Sequence, residues 1–300
     1  MWFWLSLVSI LFWSGSDFFS KLGSKREDKN SQFKMIMAVG LVMGIHATVE
    51  VVVNGVEFNL GVMLQYLPVS LLYILAMFLG YIGLRYIQLS LSSPICNSSG
   101  AFAAILCFAF LHTTLAPIQI VAVVLITIAI VMLAYFERKM DEEELIASGE
   151  KVDKKYMNSF IAIFFPIFYL IIDGLGTFAD AIVLESMNED SANVAYEYTF
   201  LVLGIAAAIY VLGVKKEKLI VKRETPKLLA GIFETAGQYA YIFAIGANAI
   251  AAAPLISSYC MFSVIWARIF MKEKLTWKQY AMVGLAIVGI VLMGIAEAGE

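Results

Sequence analysis

The chain has 300 residues, of which 61% are A, V, I, L, M, F, W, Y or C and only 15% are charged, with a net charge of -3 and a mean hydropathy of +0.83. A soluble domain carries about 25% charged residues and would leave much of this apolar surface in water. That balance excludes a soluble enzyme or a nucleic-acid-binding module and predicts a polytopic helical protein whose partner is the lipid bilayer.

Apolar runs long enough to cross a bilayer fall at 2–22, 32–54, 66–89, 93–112, 115–136, 157–184, 192–213, 227–247, 250–271 and 277–297. Short alternating strands of a membrane β-barrel do not fit such runs. The first run has no basic leader or small-residue cleavage site and carries Asp17, so it reads as a retained span. Asp17 is one turn before Lys21, and a local pair at the membrane boundary accounts for it. In the second run His46 and Glu50 are likewise spaced i,i+4 near the end of the span. The fourth run places Asn97, Ser98 and Ser99 just after Pro94, and proline frees a carbonyl one turn earlier. Cys96, Cys107 and Cys260 sit inside apolar runs without metal spacing and read as small buried hydrophobes. Residues 137–156 form the one long polar linker, dividing the chain into 1–136 and 157–300.

The sixth run carries Asp173 near mid-span, followed by Gly174 and Gly176, with Asp180 seven residues on. A carboxylate at that depth costs about 2.5–3.5 kcal/mol on insertion scales, so it marks either a ligand or proton site or a helix-to-helix hydrogen bond. Glu197 in the seventh run is flanked by Tyr196 and Tyr198, a setting that suits an organic cation or, equally, an interfacial tyrosine belt. In the eighth run Glu234, Gln238 and Tyr241 share one helical face. Ser258 and Tyr259 follow Pro254 in the ninth run as Ser98 and Ser99 follow Pro94. Paired polar patches beside such breaks point to a central site; small-residue helix packing is the alternative. Trp13 and Tyr169 are candidate cavity walls. Six acids thus lie in the interiors of the runs, against Arg85 and Arg268 near their ends.

Of the 21 Lys and Arg residues, 19 fall on alternate loops or at the run ends that border them: after runs 1, 5, 7 and 9. The positive-inside rule places those loops in the cytoplasm and both chain ends outside a cell membrane. Shifting the chain by 160 residues aligns 81–137 with 241–297 without a gap, giving 14 identities in 57 positions, among them Pro94/Pro254, Gln119/Gln279 and Glu137/Glu297. Five runs per half means that the two copies enter the bilayer in opposite senses. The second copy has Lys272-Glu273-Lys274 where the first has His112-Thr113-Thr114.

The stretch from Pro254 to Ser258, then Lys272 to Gln279, then Gly284 and Gly289, resembles the closing signature of EamA-type transporters of the drug/metabolite transporter superfamily. Residues 94–137 repeat it in degraded form, and Trp13-Ser14-Gly15 with Lys21 resembles that family's first helix. The resemblance implies ten transmembrane helices as two inverted five-helix repeats, a cavity lined by spans 1, 3, 4, 6, 8 and 9, and peripheral spans 5 and 10 available for packing or a homodimer. The expected function is alternating-access transport of a small organic solute, with a cationic or zwitterionic amine favoured and proton coupling through the acids. Asp173 and Glu234 are the expected substrate or proton carboxylates. Glu197 is placed toward the outer gate, with Asp180, Trp13, Tyr169, Asn97, Ser98, Ser99, Gln238, Ser258 and Tyr259 completing the set. Transport of neutral metabolites or amino acids is the second reading, and a membrane enzyme or receptor on the same scaffold the third. No catalytic constellation, metal set, nucleotide loop or cofactor motif is expected.

Overall fold

The computed structural model describes residues 1–25, 28–85, 89–111, 115–148, 160–272 and 275–299, and these form helices joined by short loops, with no strand among them. Nine helices among the described residues are long and apolar enough to cross a membrane. The loop residues His112, Thr113, Thr114, Glu273 and Lys274, and the linker from position 149 on, lie outside the described residues.

The first three helices are α1 (Trp2–Gly23), α2 (Ser31–Val52) and α3 (Leu60–Gly83). Helix α3 begins six residues earlier than the apolar run suggests, because the Asn59 side chain accepts from the backbone N of Val62 at 3.1 Å and caps the helix there. The fourth run is two helices, α4 (Leu89–Asn97) and α5 (Ser99–Phe110), meeting at Ser98. Helix α6 (Pro117–Ser148) runs past the bilayer segment into the stretch expected to be linker. That segment is rich in Glu and also holds Arg, Lys, Met, Leu and Ala, residues that extend a helix readily once it is nucleated.

In the second half, α7 spans Phe160–Val183, and α8 (Glu189–Ala208) continues into a π-helical turn, Ile209–Val214. Asn188 caps α8 by accepting from the backbone N of Asp190 and Ser191 at 3.0 and 3.3 Å, and Glu189 and Asp190 in the first turn complement its dipole. Helix α9 (Val221–Ser257) is interrupted at Asn248, where φ -162 and ψ 78 leave the helical region. The Asn248 side chain then accepts from the backbone N of Ala251 at 3.3 Å, starting the helix again. Helices α10 (Tyr259–Phe270) and α11 (Trp277–Gly299) complete the chain.

The two proline-linked breaks have the same geometry. Ser98 sits at φ -64, ψ -8 and Ser258, 160 residues later, at φ -66, ψ -6. The side chains of Gln119 and Gln279 each accept from a backbone N three residues before them, at Ala116 and Thr276, at 2.9 and 2.5 Å. Helix α1 packs most extensively on α9, α2 on α8, and α6 on α11. The α2–α8 contact is close enough that a Cβ on Gly40 would stand 2.6 Å from the carbonyl oxygen of Phe200 and 3.1 Å from the Cα of Gly204. The outward faces of α6 and α11 carry Ile120, Val124, Ile128, Val131, Ile287, Val291 and Ile295, all exposed, as suits a surface against lipid. All three cysteines are buried.

Candidate functional site

Helices α1, α3, α4, α5, α7, α8, α9 and α10 enclose one central cavity. Three carboxylates line it, one from each of three helices: Asp17 on α1, Asp173 on α7 and Glu234 on α9. Each is held by serine. Ser99 Oγ donates to Asp173 Oδ2 at 2.7 Å, and Ser16 Oγ donates to Glu234 Oε2 at 2.7 Å. Asp17 Oδ2 accepts from Ser93 and, at 2.9 Å, from Ser263 Oγ. Hydroxyls position a carboxylate without neutralising it, so these acids remain available to a cation. None of the described lining residues is Lys, Arg or His.

The aromatic wall is as prominent as the acids. Trp13 lies 4.9 Å from Tyr241 and 5.8 Å from Tyr259, centroid to centroid, with the latter ring edge-on. Tyr73, Tyr81, Tyr169 and Tyr196 complete it. Trp13 Nε1, Tyr81 OH and Gln238 Nε2 are buried without a hydrogen-bond partner, so three polar groups of the lining are uncommitted within the protein.

Beside the cavity, Asp180 is fully buried and accepts from Tyr66 OH at 2.6 Å and Tyr73 OH at 3.2 Å. The Tyr73 hydroxyl is also 2.5 Å from that of Tyr241, and Tyr241 OH donates to Thr177 Oγ1 at 3.2 Å. Tyr73, Thr177 and Tyr241 line the cavity, so a chain of hydroxyls links Asp180 to it.

Of the residues singled out by sequence, Trp13, Asn97, Ser99, Tyr169, Asp173, Glu234, Gln238 and Tyr259 line this cavity. Four do not. Asp180 sits behind the tyrosines, Ser98 Oγ turns back to the carbonyl of Pro94 at 3.1 Å, and Ser258 Oγ is buried without a partner. Glu197 lies apart, also fully buried, where His46 Nδ1 meets its two oxygens at 2.9 and 2.8 Å and Asn193 Nδ2 donates at 3.1 Å. His46 Nε2 stands 3.6 Å from Glu50, so the expected His46–Glu50 pair is part of a larger group.

Asp17 corrects the sequence reading. Its partners are Ser93 and Ser263, from α4 and α10, while Lys21 Nζ donates to the carbonyl of Leu84 at 2.8 Å. The helix turn that makes an i,i+4 pair available also faces the cavity, and tertiary hydroxyls hold the acid there. Tyr241, named on the face of Glu234, also lines the cavity, and the clearest signal passed over was its repeat partner Tyr81, the first identity of the 160-residue repeat, which lines it too.

The description of the EamA-like transporter family matches residues 1–135 and residues 159–295. The chain belongs to that family. It is accordingly a multi-pass membrane transporter of the drug/metabolite transporter superfamily, and the residues carrying the earlier resemblance fall within the matched segments except 136 and 137. No curated protein matches the chain. A solved structure described only as a crystal structure of a protein aligns over 98% of this chain and 98% of its own, at a TM-score of 0.69 and 12% identity, which bears on fold alone.

Proposed function

We propose that this EamA-family chain is a secondary transporter that moves a small organic amine across the cell membrane by alternating access, in exchange for protons. The observation that carries the substrate class is the central cavity: three carboxylates, an aromatic wall and no basic lining residue among those described. An ammonium group gains there from charge and from ring faces together.

The architecture we propose is ten spans as two inverted halves, separated by a charged cytoplasmic linker. The stretch Val221–Phe270 is 50 residues long, about 75 Å at about 1.5 Å per residue, against a hydrocarbon core of about 30 Å. Its non-helical residue Asn248 divides it into two crossings, bringing nine helices to ten spans. The amino terminus pairs with Glu297, so both chain ends lie on one face, as an even number of crossings requires. The matching breaks at Ser98 and Ser258 support the two-fold relation. Positive charge on alternate loops supports the cytoplasmic assignment of those loops and the outer placement of both ends.

Coupling follows from chemistry available in and beside the cavity. An ammonium arriving at Asp173 or Glu234 is bound most strongly by the ionised carboxylate, so cation entry expels a proton from the site and proton return expels the cation. Asp180 is the second proton holder in this scheme. Its partners are hydroxyls, which donate to a carboxylate and accept from a carboxylic acid, so either state is accommodated. Rocking of the two halves about the site then exposes it to each side in turn.

The test is uptake into proteoliposomes of choline-like amines, amino acids and sugars, with and without a pH gradient. Amine uptake that responds to the gradient is the expected result. Movement of a neutral solute while the amines neither bind nor move would overturn the proposal.

A further inference from the structure

We infer that the preferred cargo of the cavity is an organic dication, a linear diamine with an apolar spacer, rather than a singly charged amine; this rests on the organic-cation reading above. Each of the three lining acids has one oxygen committed to serine hydroxyls: Asp17 Oδ2, Asp173 Oδ2 and Glu234 Oε2. The second oxygen of each, Asp17 Oδ1, Asp173 Oδ1 and Glu234 Oε1, has no hydrogen bond among the described residues and is not sealed within the packing. Three uncommitted carboxylate oxygens from three helices therefore open on one cavity.

These acids also act on one another. Glu234 lies within electrostatic reach of both Asp17 and Asp173, and the described lining residues include no base to offset them. A single ammonium answers one carboxylate of the three. A zwitterion brings a further carboxylate with no lining cation to meet it. A diamine answers two acids on separate helices and leaves the third for a proton, so it relieves the most repulsion for one occupant. Between the charges, Trp13, Tyr241 and Tyr259 supply ring faces for a methylene spacer, with centroids 4.9 and 5.8 Å from Trp13.

Isothermal titration calorimetry on the full chain in lipid nanodiscs, with putrescine, cadaverine, butylamine and glycine as probes, decides the matter. The diamines should bind about tenfold or more tightly than butylamine, with glycine weaker than both. Asp173→Asn should compress that ratio to about twofold while Asp173→Glu keeps it. Should either variant fail to fold, the ratio in the unaltered chain decides alone. Butylamine binding as tightly as the diamines would overturn the dication and leave the organic-cation reading standing. Glycine binding more tightly than the diamines would overturn it in favour of a zwitterion, and failure of every amine would remove both readings.

Discussion

Asp173 and Glu234 are each fixed by one serine, through Ser99 and Ser16, and each presents its other oxygen to the cavity. Asp173→Asn and Glu234→Gln keep shape and hydrogen bonding while removing the charge. Each should therefore lower amine uptake in proteoliposomes about tenfold or more, the scale of one charge-assisted hydrogen bond at about 1.5–3 kcal/mol. Asp17→Asn should do the same. A boundary pair with Lys21 would make that change nearly silent, so the variant separates a cavity role from a local one. The shared face of Glu234 and Gln238 was legible in the sequence, because helical periodicity reports it, and both residues line the cavity. The partners of Asp17 were not: Ser93 and Ser263 are 76 and 246 residues away, and no periodicity within one helix reports a contact between helices.

At the scale of the element, apolar run length located the crossings, while local chemistry set their ends and breaks. Asn59 moved the start of α3 upstream and Asn248 restarted α9. Side-chain caps of this kind are single-residue signals that a hydropathy window averages away. The proline breaks were legible because the repeat displays them twice. What the repeat does not report is which helices touch, and one close contact, α2 on α8, lies outside the aligned segment. Small residues let helices approach closely where lipid offers no hydrophobic drive to associate. Gly204 is one such point, since a Cβ there would stand 3.2 Å from both the Cα of Gly40 and the carbonyl oxygen of Ile36. Gly204→Val should force α2 and α8 apart and cost about 1–3 kcal/mol. A lowered melting temperature in detergent would register it; an unchanged one would mean that the interface yields without cost.

The whole molecule turns its basic residues to two uses. Their placement on alternate loops is a sequence signal, and it carries the proposed orientation of the chain. Some of them also close an ionic network at one face, which charge counting does not reveal. Lys34 Nζ lies 3.1 Å from Asp28 and 2.7 Å from Glu217; Lys227 Nζ lies 2.7 Å from Glu224 and 3.6 Å from Asp28; and Arg223 is 3.6 Å from Asp28. The loop between α1 and α2 is thereby tied to the connection between α8 and α9. Burial pushes the Asp28 carboxyl up, but the Lys34 hydrogen bond and the charges of Lys34, Lys227 and Arg223 outweigh it and hold it below its ordinary 3.8. Hydrogen bonds from Lys34 and Asn30 hold Glu217 below its ordinary 4.5. Carboxylates depressed on folding contribute stability that is full above their unfolded values and is lost as pH falls through their folded ones. Thermal stability in detergent should therefore stay level on this account from neutral pH down to about 5 and decline below about 4.5. Asp28→Asn should lower the melting temperature at neutral pH, because two buried lysines lose a partner, and should make the acid decline shallower, because one of the two depressed carboxylates is gone. An acid limb of unchanged steepness in that variant would show that other carboxylates govern acid unfolding.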